Sequence, residues 1–239
     1  MWPDMTGNIW IAIPAMDESA YLPAMIQSLA RQTLRPSRVF VCVNQPDAWW
    51  NEGGGKGAVC ESNRETLAWL ADYRELDVEV LDRSSPGRGW QGRQGGAGWA
   101  RKVLMDAASE AAVAEDLVVS MDADTYYPPD YLQEIRQALL ANPAAVALSA
   151  PFHHRLGASD RENRALLRYE LYMRHYFLNL AAIRSPYAFI ALGSAIAVPV
   201  WAYRRVRGIT PFLAGEAFYF LPKLRKTGPV LNHCNAIVY

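Results

Sequence analysis

Two carboxylates, Asp122 and Asp124, stand two residues apart just after the apolar run Leu117, Val118 and Val119, within the stretch DLVVSMDADTYYPPD. Residues two apart on an extended chain point to the same side, so both aspartates are expected to face one point just beyond a strand. Mg²⁺ and Mn²⁺ take oxygen ligands and typically use one or two protein carboxylates, leaving the other positions to water and substrate phosphate oxygens. The pair is therefore a candidate metal site able to receive a phosphate. The plainer alternative is that Asp-Ala-Asp ends a strand and leads into the helix at Pro128-Pro129-Asp130. The carboxyl ends of strands are where open α/β sheets bind ligands, which favours the site.

The rest of the chain must supply that sheet. Apolar strand patterns cover 8–14, 38–44, 78–82 and 144–150, and helical patterns cover 18–32, 61–74, 98–113 and 129–141. In the first helix Leu22, Met25, Ile26 and Leu29 recur at helical spacing, behind a cap of Asp17, Glu18 and Ser19. Strand alternating with helix specifies an α/β fold with a parallel sheet and right-handed crossovers.

Two glycine-rich stretches interrupt the alternation. NEGGGKG at 51–57 lacks the Ser or Thr that follows a phosphate-loop lysine and does not directly follow a strand, so a flexible insertion is expected. SSPGRGWQGRQGGAG at 84–98 runs into a helix at Trp99, Ala100 and Arg101, whose free N–H groups could hold an anion; ordinary loop material is the equal alternative. A long helix over 161–183 carries Tyr172, Arg174, Tyr176 and Phe177. It is expected to pack over a sheet edge with its arginines in solvent, and contact with a membrane surface or lipid-bearing acceptor is the second reading. The apolar stretch 185–201 is read as buried strand.

With 239 residues, 51% of them hydrophobic, the chain is expected to fold as one domain over 1–239. Lys plus Arg balance Asp plus Glu at 24 each, which gives no charge argument for nucleic acid or an anionic bilayer. Cys42, Cys60 and Cys234 form no C-x-x-C pair, and their odd number argues against a disulfide framework. A cytoplasmic protein is expected, and peripheral association with the inner face of the plasma membrane is left open. The first residues show no signal-peptide pattern, and no stretch reaches the roughly 18 apolar residues of a membrane span.

IAIPAMDE, Gln32 closing the first helix, GGAGWARKVLMDAA, VVSMDADT, GSAIAVPVWAYRRVRGI and AGEAFYFLPKLRKTG occur in that order over about residues 9 to 231. In this ordered set the chain resembles the family 2 glycosyltransferases of the nucleotide-diphospho-sugar transferase superfamily. The resemblance implies a GT-A-type, mostly parallel sheet flanked by helices. A Rossmann-like nucleotide-sugar-binding half would cover 1–125, and an acceptor half with a small antiparallel element 126–239. It implies a UDP- or GDP-type donor and a hydroxyl acceptor such as a saccharide or glycolipid, in bacterial cell-envelope polysaccharide assembly. Pro14, Ala15 and Glu18 would line the base and ribose, Arg101 would precede the helix bordering the base and phosphates, and Asp122 and Asp124 would bind Mn²⁺ or Mg²⁺. Gly193, Ser194 and Trp201 would line the acceptor.

Three positions depart from the family pattern. Asn44-Gln45 stands where many members carry an aspartate that reads the base; an amide both donates and accepts, which leaves the base open. Glu216-Ala217 stands where inverting members carry Glu-Asp. Alanine cannot take the acceptor's proton, so either Glu216 has that role or transfer is impaired by roughly 10²–10⁴. His233 is a candidate metal ligand, with a structural or surface role as the main alternative; it lies before the place where many members contribute a metal-binding histidine, which would fall just past Tyr239, so a chain cut short there is expected. The adjacent His153 and His154 point different ways along a strand.

The leading expectation is a metal-dependent inverting glycosyltransferase. A catalytically degenerate nucleotide-sugar-binding module is the alternative. A sugar-phosphate nucleotidyltransferase ranks lower, because PAMDE follows the first strand in place of a glycine-rich basic loop.

Overall fold

The computed structural model describes residues 7–212 and 215–239. Strands β1 (Ile9–Ala15), β2 (Arg38–Asn44), β3 (Val78–Arg83), β4 (Leu117–Ser120), β5 (Ala147–Ser149), β6 (Ile196–Pro199) and β7 (Val230–Leu231) form one sheet in the order β3-β2-β1-β4-β6-β5-β7. β1 to β4 pair in parallel, whereas β6 runs antiparallel to both β4 and β5. The sheet is thus mixed, parallel in the first half and with one reversed strand in the second.

Alternation along each strand sorts the core into two layers. Ile9, Ile11, Ile13, Val39, Val41 and Val43 point to the face covered by α1 (Leu22–Ala30), α2 (Gly55–Asp72) and α4 (Tyr131–Ala141). Ala12, Phe40, Cys42 and Val118 point to the other, covered by α3 (Gly96–Ala111), α6 (Val200–Arg205) and α7 (Glu216–Arg225). α5 (Asp160–Ala182) follows β5, and none of its residues is buried.

The strand over 38–44 and the helix ending at Ala141 fall where the sequence places them. α1 begins four residues later than expected, because Asp17 has φ 67° and the Glu18 carbonyl accepts from the N–H groups of Tyr21 and Leu22 in a separate turn. Gly55, Lys56 and Gly57 are the first turn of α2 and not a flexible insertion; Lys56 pairs with Glu52 one turn earlier. The stretch 185–201 is not one buried strand. Only Ile196–Pro199 pairs in the sheet, and α6 starts directly after Pro199. Among the described residues no helix is long and apolar enough to cross a membrane.

Candidate functional site

A cleft of about 200 Å³ opens at the carboxyl ends of β1, β2 and β4. Pro14, Ala15, Met16 and Glu18 line it from the end of β1 and the turn beyond, Asn44 from β2, Ala97 and Arg101 from α3, and Asp122, Ala123 and Asp124 from the loop after β4. Every residue expected to contact the nucleotide, and both aspartates, meet here. The first turn of α3 borders the cleft through Ala97, so the second glycine-rich stretch does lead into it.

Asp122 and Asp124 reach the cleft by a route the sequence did not predict. β4 ends at Ser120, and the Thr125 N–H approaches the Asp122 carbonyl at 3.4 Å, so a turn and not an extended chain carries the pair. The turn is held from below. The Tyr127 hydroxyl accepts the Asp122 N–H at 2.9 Å and donates to the Ser194 carbonyl at 2.8 Å, tying this loop to the segment before β6. Gln32 donates to the Pro128 carbonyl at 2.7 Å and accepts the Leu132 N–H at 3.2 Å, which clamps the Pro-Pro corner against the end of α1.

Arg101 lies inside α3 and only 3% exposed, rather than ahead of the helix as the resemblance implied. Its Nε donates to Glu216 Oε1 at 2.7 Å, Nη2 to Asp122 Oδ1 at 2.9 Å and Nη1 to the Gly193 carbonyl at 3.0 Å, with Ser120 Oγ as a further acceptor. Burial pulls the guanidinium pKa down, but the two carboxylates outweigh it and the net shift is upward. A side chain at Gly193 would put its Cβ 2.6 Å from the guanidinium, so glycine is what lets the arginine in. Gly98 is required similarly: a Cβ there would meet the Phe212 carbonyl at 2.0 Å.

Glu216 is 4% exposed and Ala217 5% exposed at the start of α7. Glu216 is paired with Arg101, and Ala217 belongs to the apolar cluster with Phe220 and Leu221. Glu18 is raised from 4.5 to about 7, first by burial and then by the Asp124, Asp122 and Asp17 charges. Three carboxyl groups crowded into one cleft with this repulsion are a favourable place for a cation. No group of three or more His, Cys, Asp or Glu side chains among the described residues is arranged to hold a metal ion by itself. Asp122 and Asp124 nonetheless fit an ion that draws most of its ligands from water and phosphate.

Several expected residues have other duties. Asn44 is buried, donates to the Ala15 carbonyl at 2.9 Å and accepts from Trp90 Nε1 at 3.0 Å. Its amide joins β1, β2 and the 84–95 loop at the wall of the cleft. Trp201 is removed from the acceptor. β6 pairs Ile196 with Ser120 and Pro199 with Leu117, so Trp201 lies beyond the start of β4, at the sheet end opposite Asp122. Gly193 and Ser194, by contrast, stay at the Asp122 end through their bonds to Arg101 and Tyr127. His233 is exposed and joins no such ligand group. His153 packs edge-on against Tyr239 at 4.4 Å, and His154 bonds Glu170 of α5.

Tyr127, Trp90 and Ser120 hold the site in place without having been singled out from the sequence. Tyr127 lies inside the Asp122 to Asp130 stretch, and that proximity was the available signal; the Trp90 and Ser120 contacts cross 46 and 19 residues of chain.

No protein-family profile and no curated protein matches the chain. Solved structures do. A mannosyltransferase from Pyrobaculum calidifontis in complex with GDP-Man and Mn²⁺ is 16% identical, with a TM-score of 0.58 over 99% of this chain and 59% of that one. The chain has the GT-A glycosyltransferase fold. S. aureus TarS in complex with UDP-GlcNAc is 15% identical at a TM-score of 0.58, over 97% of this chain and 55% of that one. Glucosyl-3-phosphoglycerate synthase from Mycobacterium tuberculosis in complex with UDP is 15% identical at 0.58, over 95% and 70%. This GT-A chain spans little more than half the length of the first two.

Proposed function

We propose that the chain is a metal-dependent, inverting glycosyltransferase that moves a sugar from a nucleoside diphosphate to a hydroxyl acceptor. One observation carries this reading: Pro14, Ala15, Glu18, Arg101, Asp122 and Asp124 line a single cleft at the carboxyl ends of three parallel strands, within a GT-A fold. Asp122 and Asp124 are the residues to hold Mn²⁺ or Mg²⁺, which would stabilise the charge that grows on a departing diphosphate. The first turn of α3 offers backbone N–H groups to the same phosphates. Arg101 keeps Asp122 and Glu216 fixed and itself makes no approach to solvent. In the transfer the acceptor oxygen bonds to the anomeric carbon, the bond to the diphosphate breaks, and the hydroxyl proton passes to a carboxylate, for which Glu216 is the candidate.

The pairing of Glu216 with Arg101 and the methyl group at position 217 favour a second reading, a nucleotide-sugar-binding module that transfers slowly or not at all. Both readings share the donor cleft. A thermal-shift panel of UDP, GDP, ADP, CMP and TDP, each with and without Mn²⁺, tests it. Ligand at 100 times its Kd adds about 2.7 kcal/mol, a rise of roughly 5–11 °C for a chain of this size. A rise that requires one base and Mn²⁺ together is expected; no rise with any nucleotide would refute both readings.

A further inference from the structure

Glu18 lines the cleft half-buried, and among the described residues none donates a hydrogen bond to its carboxylate. Burial, and then the charges of Asp124, Asp122 and Asp17, raise its pKa to about 7, so nothing around the side chain draws the carboxylate in. The backbone turn that carries Glu18 must therefore place it.

That turn is strained. Asp17 has φ 67°, in the left-handed region that residues other than glycine enter at a cost and keep only where their surroundings fix them. Two consecutive residues of α2 do the fixing. Asn63 Oδ1 accepts the Asp17 N–H at 2.9 Å. Ser62 Oγ accepts the Ser19 N–H at 3.4 Å and donates to Ser19 Oγ at 3.0 Å. Glu18 is thus pinned on both sides, by bonds that cross 46 and 43 residues of chain.

Asn63 is itself fully buried, and its Nδ2 donates to Gln45 Oε1 at 2.8 Å and to the Asn44 carbonyl at 3.2 Å. Gln45 returns to the same helix by donating to Cys60 Sγ at 2.9 Å. With both hydrogens and the oxygen of the amide engaged, Asn63 cannot rotate without stranding buried polar groups. Asn44 is a wall of the cleft, so one rigid side chain sets the end of β2 against the turn beyond β1. Neither Ser62 nor Asn63 lines the cleft.

We propose that Ser62 and Asn63 are positioning residues for the nucleotide, acting through Glu18, which they hold at the cleft against the repulsion of its neighbours. The proposal rests on the reading of the cleft as a nucleotide-sugar site. A group already fixed in its binding position loses less freedom when the ligand arrives, and that difference appears as affinity.

The test is calorimetric titration of UDP, GDP, ADP, CMP and TDP, each with Mn²⁺, well below the melting point of every variant, so that lost stability alone leaves Kd unchanged. Ser62→Ala and Asn63→Ala are each expected to raise Kd roughly tenfold, within the range of coupling between residues in one hydrogen-bond network. Ser62→Thr keeps the hydroxyl and should bind as the parent does. Ser28→Ala removes a comparable half-buried hydroxyl, bonded to the Met25 carbonyl at 2.7 Å within α1, and should also leave Kd unchanged. In a Glu18→Ala background, Ser62→Ala and Asn63→Ala should add no further loss, because the side chain they position is gone. Parent-like Kd in both variants, or losses that add in full to that of Glu18→Ala, would overturn the proposal. If Asn63→Ala does not fold, Ser62→Ala decides the outcome alone. A parent that binds none of the nucleotides sinks the donor reading and the positioning role together, whereas a parent that binds and variants that match it sink the positioning role only.

Discussion

Arg101 Nε donates to Glu216 Oε1 at 2.7 Å across 115 residues of sequence, and the same guanidinium reaches Asp122 Oδ1 at 2.9 Å. The proposed metal carboxylate and the proposed proton acceptor are therefore positioned by one buried cation. Replacing Arg101 with methionine leaves Glu216 buried without its partner, a loss of about 3–5 kcal/mol. The melting point should fall by roughly 6–20 °C. Adding Glu216→Gln should recover part of that fall, because the stranded charge is removed; a double variant as unstable as the sum of the singles would argue against the coupling.

Tyr127→Phe removes only a hydroxyl, yet that hydroxyl satisfies both the Asp122 N–H and the Ser194 carbonyl. Loss of about 2 kcal/mol is expected, seen as a melting point lower by roughly 4–8 °C. Mn²⁺-dependent nucleotide binding should weaken with it, because the Asp122 turn loses its support. Unchanged nucleotide affinity would confine Tyr127 to stability.

Glu18 gives the metal-free protein a pH dependence. Its folded pKa of about 7 exceeds the usual 4.5, so between those values the folded state binds more protons than the unfolded chain. Stability is then present at the acid end and declines as pH rises through that window. Melting curves in EDTA should show the decline, and Glu18→Gln should flatten it. An identical slope in both proteins would assign it to other groups.

Ala217→Asp tests the missing base. If transfer is limited by proton removal, the new carboxylate beside Glu216 should raise the rate by roughly 10²–10⁴. An active parent with no gain in the variant would assign the proton to Glu216.

The resemblance supplied Pro14, Ala15, Glu18 and Arg101 for the cleft, and the sequence by itself determined the alternation of the first four strands with their helices and the placing of Asp122 and Asp124 beyond a strand. The latter two follow from local periodicity and from where a strand ends: alternate valines and isoleucines sort to opposite faces, and carboxyl strand ends in a parallel sheet converge whatever their distance in sequence. Tertiary structure decided what each polar group does there. The fold put Trp90 and Ala15 against the Asn44 amide, and it enclosed Arg101, which the resemblance set ahead of the helix bordering the base and phosphates, between β4, the Gly193 segment and α7. Trp201 was displaced by strand direction, because a reversed β6 carries the residue after Pro199 to the far end of the sheet. Such contacts are selected by the geometry of elements distant in sequence, and hydrogen bonds between side chains at those distances leave no period or spacing to read.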